Sequence, residues 1–415
     1  YAHWRNRPKD QPFFAVFNFN QTHESGLFEP YGFKNSEKRH YQSGDRDYVI
    51  QPGQTAEEET PNHVSKDGDF PIPPYLPNTE TVRRDLWKMY NNIAEMDLQI
   101  GAVLKQLEDD GFLENTIVFF YGDHGGPLPR QKRLIYDSGL NTPLIIRLPG
   151  EKNPGQKDPQ LISFVDFAPT LLSLAGIKPP EYMQGRAFLG EHRAKEERTY
   201  IHGAADRFDE ITDAIRAVRG NRFKYIRNYR PGQGYYLPLA YRERIPTMQE
   251  LLKMRDEGEL DSIQQLWFRE KKDPEELFDC NNDPHELKNL AGDPAYADHL
   301  EELREEMDRW IQEIGDQPNL PEKNLLEQLW SGDDRKPETS EPQVISSGGK
   351  ITIDCATKGA SIGYKVIGKD GAEPEAWTVY QKSFEMKQGS KLLLQAHRIG
   401  FEPSEIVEIE ITETN

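Results

Sequence analysis

A long amphipathic helix that leads directly into an apolar strand is the feature that most constrains how this chain of 415 residues can fold. Apolar side chains recur at helical spacing from residue 79 until Gly111, and Thr81 can cap the helix at its start. The strand NTIVFFYGD follows at residues 115–123. Strands that alternate with helices predict an α/β domain with a mostly parallel sheet, in which ligands bind beyond the carboxyl ends of the strands.

Three further segments continue this alternation. PFFAVFNFN (12–20) is typical of a buried strand, and NTPLIIRLPG (141–150) of another. LISFVDFAPTLLSLAG (161–176) starts extended and then becomes helical. We therefore expect the residues that follow each strand to share one edge of the sheet.

The remainder of the chain divides by composition. Two strands joined at Gly220 and a helix near 294–313 indicate a smaller antiparallel domain, and short alternating strands near the C-terminus indicate a small β-sandwich. The predicted domains are 1–196 for the α/β domain, 197–315 for the smaller domain, 316–346 for a Pro-, Glu- and Ser-rich linker, and 347–415 for the β-sandwich.

The charge balance narrows the classes of partner. A net charge of −19 argues against nucleic acid or an anionic membrane as the main partner, because phosphate binding requires a basic surface. No segment approaches the roughly 18–20 apolar residues that a membrane span requires. The two cysteines, Cys280 and Cys355, lie far apart and indicate neither a disulfide framework nor a metal motif.

Asp123 and His124 are candidate metal ligands. Adjacent side chains at a strand end can turn toward one ion, hard divalent cations prefer carboxylate oxygens, and Gly125 and Gly126 let the backbone turn away without a clash. A plain strand-to-loop turn, in which Asp123 accepts backbone hydrogen bonds, is the alternative interpretation.

Lys132 is a candidate anion-binding residue, flanked by Arg130 and Arg133. An anion beside a metal needs a further cation against its remaining oxygens, although a solvated basic loop gives the same residue types. His23, after the first strand, is a candidate proton donor near neutral pH, and a surface histidine is the alternative.

Taken together, these segments resemble a known family. PFFAVFNFNQTH, YNNIAEMDLQIGAVLKQLEDDGFLENTIVFFYGDHG, KRLIYDSG, NTPLIIRLPG and FVDFAPTLLSLAGI resemble, in order and spacing, the sulfatases of the alkaline-phosphatase superfamily over about residues 10–315. The most similar members are the sulfamidases (heparan N-sulfatases) and bacterial sulfatases like them. The resemblance implies an alkaline-phosphatase-like fold, with a mixed, mostly parallel sheet flanked by helices, a smaller antiparallel α+β subdomain and the C-terminal β-sandwich.

The resemblance also implies roles for individual residues. Asp123 and His124 fall where sulfatases keep half of the ligands of one Ca²⁺ ion, although many members have Asn at the second position and His is a softer ligand than calcium usually takes. Lys132 falls where the family contacts the sulfate, and His23 falls beside the leaving group as a general acid. Further candidates for substrate contacts are Arg130, Arg133 and Glu210.

The sequence departs from the family at the nucleophile. Sulfatases carry C/S-x-P/A-x-R, whose Cys or Ser becomes formylglycine, and they carry an Asp-Asp pair that completes the metal site. The C/S-x-P/A-x-R motif does not occur in this chain, and the Asp-Asp pair is absent from the residues before the PFF strand, where the family keeps it. The chain is either the C-terminal part of a longer sulfatase or a degenerate relative, and its abrupt entry into the second half of the fold favours the first. We then expect the nucleophile and a signal peptide upstream, and a periplasmic or extracellular location.

The sequence thus predicts a calcium-dependent sulfatase that removes an N- or O-linked sulfate from a sulfated sugar or polysaccharide. A phosphodiesterase or phosphonate hydrolase of the same superfamily is one alternative. Another is a non-catalytic protein that binds sulfated glycans through the basic residues between 219 and 230 and the C-terminal domain. That domain resembles the Fn3-like or chitobiase-type modules of bacterial glycan-active enzymes, which predicts a spacer, a carbohydrate contact or a structural cap.

Overall fold

The structure is a computed structural model that describes residues 3–8, 10–28, 39–43, 46–50, 63–347, 350–369, 371–386 and 389–410. The chain forms two compact units, Tyr1–Pro318 and Asn319–Asn415. Within the described residues, no helix combines the length and the apolar character that crossing a membrane requires.

The first unit contains five helices and eight strands among its described residues. In chain order these are β1 (Arg39–Ser43), β2 (Arg46–Ile50), α1 (Glu80–Asp109), β3 (Val118–Tyr121), α2 (Asp137–Leu140), β4 (Leu144–Arg147), α3 (Phe167–Leu174), β5 (Ile201–Phe208), β6 (Ile211–Arg219), β7 (Phe223–Asn228), α4 (Pro246–Glu257), β8 (Glu275–Asp279) and α5 (Ala297–Ile314). Short 3-10 helices join several of them, including Glu24–Leu27 and Arg242–Arg244.

The predicted long helix is confirmed as α1. Its N-cap is Thr79, whose hydroxyl accepts a hydrogen bond from the Val82 amide at 3.3 Å, and not Thr81 as the sequence predicted. The helix ends before Gly111, whose φ of +74° is a left-handed conformation that glycine adopts without strain. Val82, Leu86 and Trp87 on its buried face pack into the main apolar core.

The prediction of a mostly parallel sheet is not met by the described residues. The predicted strands 115–123 and 141–150 form β3 and β4, which pair antiparallel with Phe119 opposite Ile146. A parallel pair needs a crossover element that packs on the sheet, usually a helix of several turns. The residues between β3 and β4 contain only the four-residue α2, so the chain returns antiparallel through an irregular loop.

Residues 12–20, predicted as a buried strand, belong to no sheet among the described residues. Phe14 is 73% exposed and Val16 is 61% exposed. A few aromatic side chains of the segment are packed: the ring of Phe13 lies near those of Trp4 and Phe112, and the ring of Phe17 lies 5.7 Å from that of Trp4. An extended segment becomes a strand only when a neighbour supplies its hydrogen bonds, and no described strand lies alongside this one.

The smaller antiparallel sheet is confirmed and has four strands in the order β5-β6-β7-β8. Side chains alternate between its faces. Ile215, Ala217 and Ile226 face the main core together with α1 and α4, whereas Val218 and Tyr225 face a second core that includes side chains of α5. The sheet is therefore buried on both sides, and the tip of its β5–β6 hairpin projects from it.

The second unit contains one helix and seven strands among its described residues. These are α6 (Glu322–Leu329), β9 (Gln343–Ser347), β10 (Lys350–Asp354), β11 (Ser361–Ile367), β12 (Thr378–Val379), β13 (Phe384–Glu385), β14 (Lys391–His397) and β15 (Val407–Glu410). Two antiparallel sheets, β13-β10-β9 and β12-β11-β14-β15, share one apolar core. The predicted linker 316–346 contains α6 and the start of β9, and residues 411–413 of the last predicted strand lie outside the described residues.

A buried carboxylate joins two helices of the first unit. Asp85 of α1 accepts hydrogen bonds from the Thr247 amide (2.8 Å) and hydroxyl (2.7 Å) at the start of α4. Burial raises the pKa of Asp85 from 3.8 to about 6. Because the folded state holds this proton more tightly than the unfolded state does, the contribution of Asp85 to stability is lost as the pH rises from about 4 to about 6.

We predict that Asp85→Asn removes this pH dependence while keeping an oxygen that accepts both hydrogen bonds. Between pH 4 and pH 7, the free energy of unfolding of the variant should rise relative to wild type by up to about 3 kcal/mol. Urea denaturation at several pH values measures this difference. Asp97→Asn, at an exposed position of α1, is the matched control, and parallel pH profiles for wild type and Asp85→Asn would contradict the prediction.

Candidate active site

The loop between β3 and β4 folds back on itself so tightly that glycine is required at its base. The Gly125 amide donates to the Gly139 carbonyl at 2.8 Å. A Cβ atom on Gly125 would lie 1.9 Å from the Ser138 carbonyl oxygen, and one on Gly139 would lie 2.4 Å from that of Gln131. The repeated glycines of the sequence therefore bring the two ends of the loop together.

Two residues of this loop adopt a left-handed backbone although neither is glycine. Arg130 has a φ of +66° and Arg133 a φ of +71°, conformations that cost a residue with a Cβ atom about 1 kcal/mol. A left-handed conformation of this kind is stable only where contacts of the residue compensate for its cost, and the side chains of Arg130 and Arg133 both make such contacts.

Arg130 is anchored below the loop. Its guanidinium donates to the carbonyls of His285 and Glu286, both at 2.9 Å, and stacks 4.0 Å from the centre of the Tyr136 ring. The side chain is buried, and none of its described contacts is with Lys132 or His23. The predicted substrate contact of Arg130 stays a prediction, and the contacts that the structure shows attach the loop to residues 285–286.

A buried ion cluster fixes the end of the same loop to the four-stranded sheet. The Lys224 ammonium, on β7, lies 2.5 Å from an Asp137 carboxylate oxygen and 2.8 Å from one of Glu286. Glu286 also accepts from the Asp137 amide at 2.5 Å, and Arg219 lies 3.3 Å from Asp137. A charge buried this deeply is stable only with such partners.

The same cluster includes a thiol. Asp137, Cys280 and Glu286 place potential ligand atoms within 4.8 Å of one another. The ammonium of Lys224 already lies between the two carboxylates, and burial raises the pKa of the Cys280 thiol to about 12, so this thiol is protonated. These groups stabilise the fold and do not form a cation site.

His23 and Lys132, which are 109 residues apart in sequence, meet on the opposite side of the loop. The Lys132 Nζ lies 3.0 Å from His23 Nε2. His23 is the N-cap of the 3-10 helix Glu24–Leu27, and its Nδ1 lies 2.8 Å from the Ser25 hydroxyl. The structure therefore places the predicted proton donor directly beside the predicted sulfate-binding cation.

Glu24 connects Lys132 to Arg133. One of its carboxylate oxygens lies 3.0 Å from Lys132 Nζ, and the two oxygens accept from the two terminal nitrogens of Arg133 at 2.8 and 2.9 Å. The carboxylate is 1% exposed. Both cations lower the pKa of Glu24 against the opposing effect of burial, so it is an anion at neutral pH.

His23 is neutral in the unliganded protein at neutral pH. Partial burial lowers its pKa most, and the positive charge of Lys132 lowers it further, while Glu24 acts in the opposite direction. The Lys132 ammonium lies at Nε2 of the ring, while Nδ1 accepts from the Ser25 amide at 3.3 Å and lies beside the Ser25 hydroxyl. An anion bound next to both groups would favour the protonated imidazole.

Asp123 and His124 adopt a geometry that suits a shared cation. The His124 Nδ1 hydrogen bonds with the Gly125 carbonyl at 2.8 Å, which leaves Nε2 as the unprotonated nitrogen of a neutral ring. That Nε2 lies 3.7 Å from a carboxylate oxygen of Asp123, so two bonds of about 2.0–2.4 Å could meet at one ion. The Asp123 side chain is 88% exposed, and the two residues supply only two ligands.

The tip of the β5–β6 hairpin reaches the same loop. Asp209 lies 2.9 Å from Arg133, and the neighbouring Glu210 accepts from the Ala240 amide at 2.9 Å. The Glu210 carboxylate is exposed, and its pKa is lowered by backbone hydrogen bonds and by nearby Arg133. The hairpin thus connects Arg133 of the loop to the smaller sheet.

Sequence reasoning missed Glu24, Asp209 and Tyr241. Tyr241 lies just before a 3-10 helix, and its ring centre is 6.2 Å from that of His23. Glu24 could have been found from the sequence, because it directly follows His23. A carboxylate beside the candidate proton donor can pair with the lysine that the donor must contact. Asp209 and Tyr241 reach the site only through long-range packing and had no local signal.

We predict that Gly125→Ala destabilises the first unit by about 1–3 kcal/mol, because the added Cβ forces the loop ends apart. Gly101→Ala is the matched control. That glycine lies on an exposed face of α1 with open space around it, so alanine should stabilise the protein by about 0.5–1 kcal/mol. Thermal and urea denaturation of the two variants measure both effects. Equal stabilities of the two variants would contradict the conclusion that glycine is required at position 125.

We also predict that Lys132→Gln raises the pKa of His23, because the substitution removes a positive charge 3.0 Å from the ring. An NMR titration of the histidine ring protons measures the change. Lys105→Gln serves as control, since Lys105 pairs with Asp109 on an exposed part of α1. A His23 titration that is unchanged by Lys132→Gln would show that the two side chains do not meet in solution.

Comparison with known proteins identifies the family of the chain. Residues 2–177 match the family model described as Sulfatase, and residues 123–264 match the one described as N-sulphoglucosamine sulphohydrolase, C-terminal. An ulvan-active sulfatase of Formosa agariphila is 61% identical over 420 residues, which cover 100% of this chain and 70% of that protein. Human N-sulphoglucosamine sulphohydrolase is 28% identical over 325 residues, covering 74% of this chain and 62% of that protein.

A solved structure described as a 2-O GAG sulfatase aligns with a TM-score of 0.41 and 27% identity, covering 56% of this chain and 44% of that one. The chain thus spans only part of the length of each of these relatives. Both the identity with the Formosa agariphila protein and the matched models place it in one group: the chain belongs to the sulfatase family of the alkaline-phosphatase superfamily.

Proposed function

We propose that the protein containing this chain is a sulfatase that hydrolyses sulfate groups of a sulfated polysaccharide of the ulvan type. The observation that carries this proposal is the contact between His23 and Lys132, a proton donor and a fixed cation 3.0 Å apart. The substrate class is supported by the ulvan-active relative that is 61% identical.

Each side chain has a distinct part in this reaction. Lys132 binds an oxygen of the sulfate and neutralises the charge that develops there. An oxygen nucleophile forms a bond to sulfur while the sulfur–oxygen or sulfur–nitrogen bond to the sugar breaks. His23, protonated beside the bound sulfate, donates its proton to the departing oxygen or nitrogen, because an alkoxide or amide anion is a poor leaving group. The family resemblance implies a formylglycine as that nucleophile, and its motif does not occur in this sequence.

A divalent cation fits the ligands that this chain supplies. Asp123 and His124 would hold it through one carboxylate oxygen and His124 Nε2. The bound cation would withdraw charge from the sulfate oxygens. Calcium is the metal that the family resemblance implies. Imidazole is a softer ligand than calcium usually takes, so a softer divalent metal is the alternative to test.

The alternative of a purely glycan-binding protein loses one of its two supports. Its basic residues are already paired: Arg219 with Asp137, Arg222 with Asp279, Lys224 with Asp137 and Glu286, and Arg227 with Asp308, while Arg230 donates to Thr212. Charges that are neutralised within the fold offer little to an external anion. The contact of His23 with Lys132, by comparison, serves a reaction that requires a proton.

A polysaccharide substrate also bears on location. Polymers of this kind do not cross a membrane unaided, so we propose that the protein acts in the periplasm or outside the cell.

A phosphodiesterase or phosphonate hydrolase would use the same cation and proton donor. Assays with sulfate and phosphonate esters of the same alcohol distinguish these chemistries.

We predict that the full-length protein releases inorganic sulfate from ulvan, measured by ion chromatography. Lys132→Ala should lower kcat by about 100-fold or more, because it removes a charge that acts on the transition state, and should leave the protein folded, because Arg133 still pairs with Glu24. Lys105→Ala, at an exposed ion pair of α1, is the control. A chelator should abolish turnover, and a divalent cation should restore it.

Three results would contradict the proposal. The first is release of phosphonate but not of sulfate. The second is normal turnover by Lys132→Ala, which would remove Lys132 from the site. The third is retention on a sulfated-glycan column without any hydrolysis by the full-length protein.

A further inference from the structure

We infer that Glu24 is a positioning residue that holds Lys132 against His23 and, through its negative charge, lowers the affinity of the site for the sulfate anion. The inference rests on the proposed function only for the identity of the anion. Its structural basis is a carboxylate that is 1% exposed and contacts two cations of one loop.

The first step is geometric. Glu24 opens the 3-10 helix Glu24–Leu27, and the residue before it is His23, so one short rigid segment carries both the proton donor and the carboxylate. The segment is closed by the hydrogen bond from the Gly26 amide to the His23 carbonyl at 2.9 Å. Whatever fixes this segment therefore fixes the distance between the imidazole and the cation that the carboxylate binds.

The second step concerns Lys132. A lysine side chain has four rotatable carbon–carbon bonds and loses much conformational freedom when its ammonium is fixed. Here two partners fix it, Glu24 at 3.0 Å and His23 at 3.0 Å. Because the His23 ring is neutral, only Glu24 offers the ammonium an opposite charge, so Glu24 supplies the attraction that keeps the ammonium in place.

The third step concerns Arg133. Consecutive side chains normally point away from each other, but Lys132 and Arg133 converge on one carboxylate. The left-handed backbone of Arg133, with a φ of +71°, accompanies this convergence. Two parallel hydrogen bonds from the Arg133 guanidinium then hold the carboxylate in one orientation.

The last step is electrostatic. Lys132 and Arg133 carry two positive charges. Glu24 is ionised beside both and is the carboxylate that opposes the charge of Lys132, whereas Asp209 pairs with Arg133 alone. An anion at the Lys132 ammonium therefore meets a weaker field than two unopposed cations would give. A weaker field favours release of the sulfate product, which in a hydrolase must leave before the next substrate binds.

The test is a charge series in the full-length protein, read as the dissociation constant of inorganic sulfate by isothermal titration calorimetry. Glu24→Gln adds one net positive charge and should bind sulfate about tenfold more tightly. Arg133→Gln removes one and should bind it about tenfold more weakly. The double variant restores the net charge and should return to within about threefold of wild type.

Kinetic measurements separate this role from simple destabilisation. Glu24→Gln should lower kcat, because Lys132 is less well placed and sulfate leaves more slowly, while inhibition by sulfate becomes stronger. A variant that was only less stable would lose activity without binding the anion more tightly. The matched control is Asp166→Asn, which breaks another buried carboxylate–arginine pair, with Arg198, and should leave sulfate affinity unchanged.

Each remaining outcome decides the inference. Sulfate affinities that follow the net charge in the order stated support it, even if the protein proves to have no sulfatase activity. Affinities that are equal across the series overturn it, as does the absence of sulfate binding in every variant. An active sulfatase with an unordered series would leave the proposed function intact and remove the role of Glu24.

Discussion

The arrangement of the candidate active site depends on one buried ammonium group, that of Lys224. It lies on β7 and binds both Asp137, at the end of the loop, and Glu286, which follows β8. Removing one partner of such a buried pair costs about 3–5 kcal/mol, because the remaining charge is left without compensation. The loop that carries Lys132 is therefore fixed at its base to the smaller sheet. Its other side remains available to meet His23.

Sequence reasoning succeeded where the signal is local. The helix over residues 80–109 and the glycines of the loop were readable because spacing and backbone freedom act within a few residues. The antiparallel pairing of β3 with β4 was not, since strand partners are chosen by the whole chain. In the basic triplet, the letters alone cannot show that Arg130 turns inward while Lys132 faces the site, because that division follows from backbone angles and distant carbonyl groups.

The two ion clusters of the loop illustrate different uses of charge. Around Lys224, cations and carboxylates are paired within the fold and serve stability. At the candidate site, Lys132 and Arg133 share the buried carboxylate of Glu24 beside a neutral histidine, and Asp209 pairs with Arg133 alone. The function that we propose needs Lys132 to keep part of its charge for an anion, and of its two contacts only Glu24 is charged.

The connection of the loop to residue 286 has a consequence for biosynthesis. His23 and Lys132 are separated by 109 residues, and the cluster that supports their contact is complete only when Glu286 has joined it. A chain emerging from the ribosome would thus carry its histidine and its basic loop long before they could meet. The contact between His23 and Lys132 can therefore gain the support of this cluster only after residue 286 has been translated.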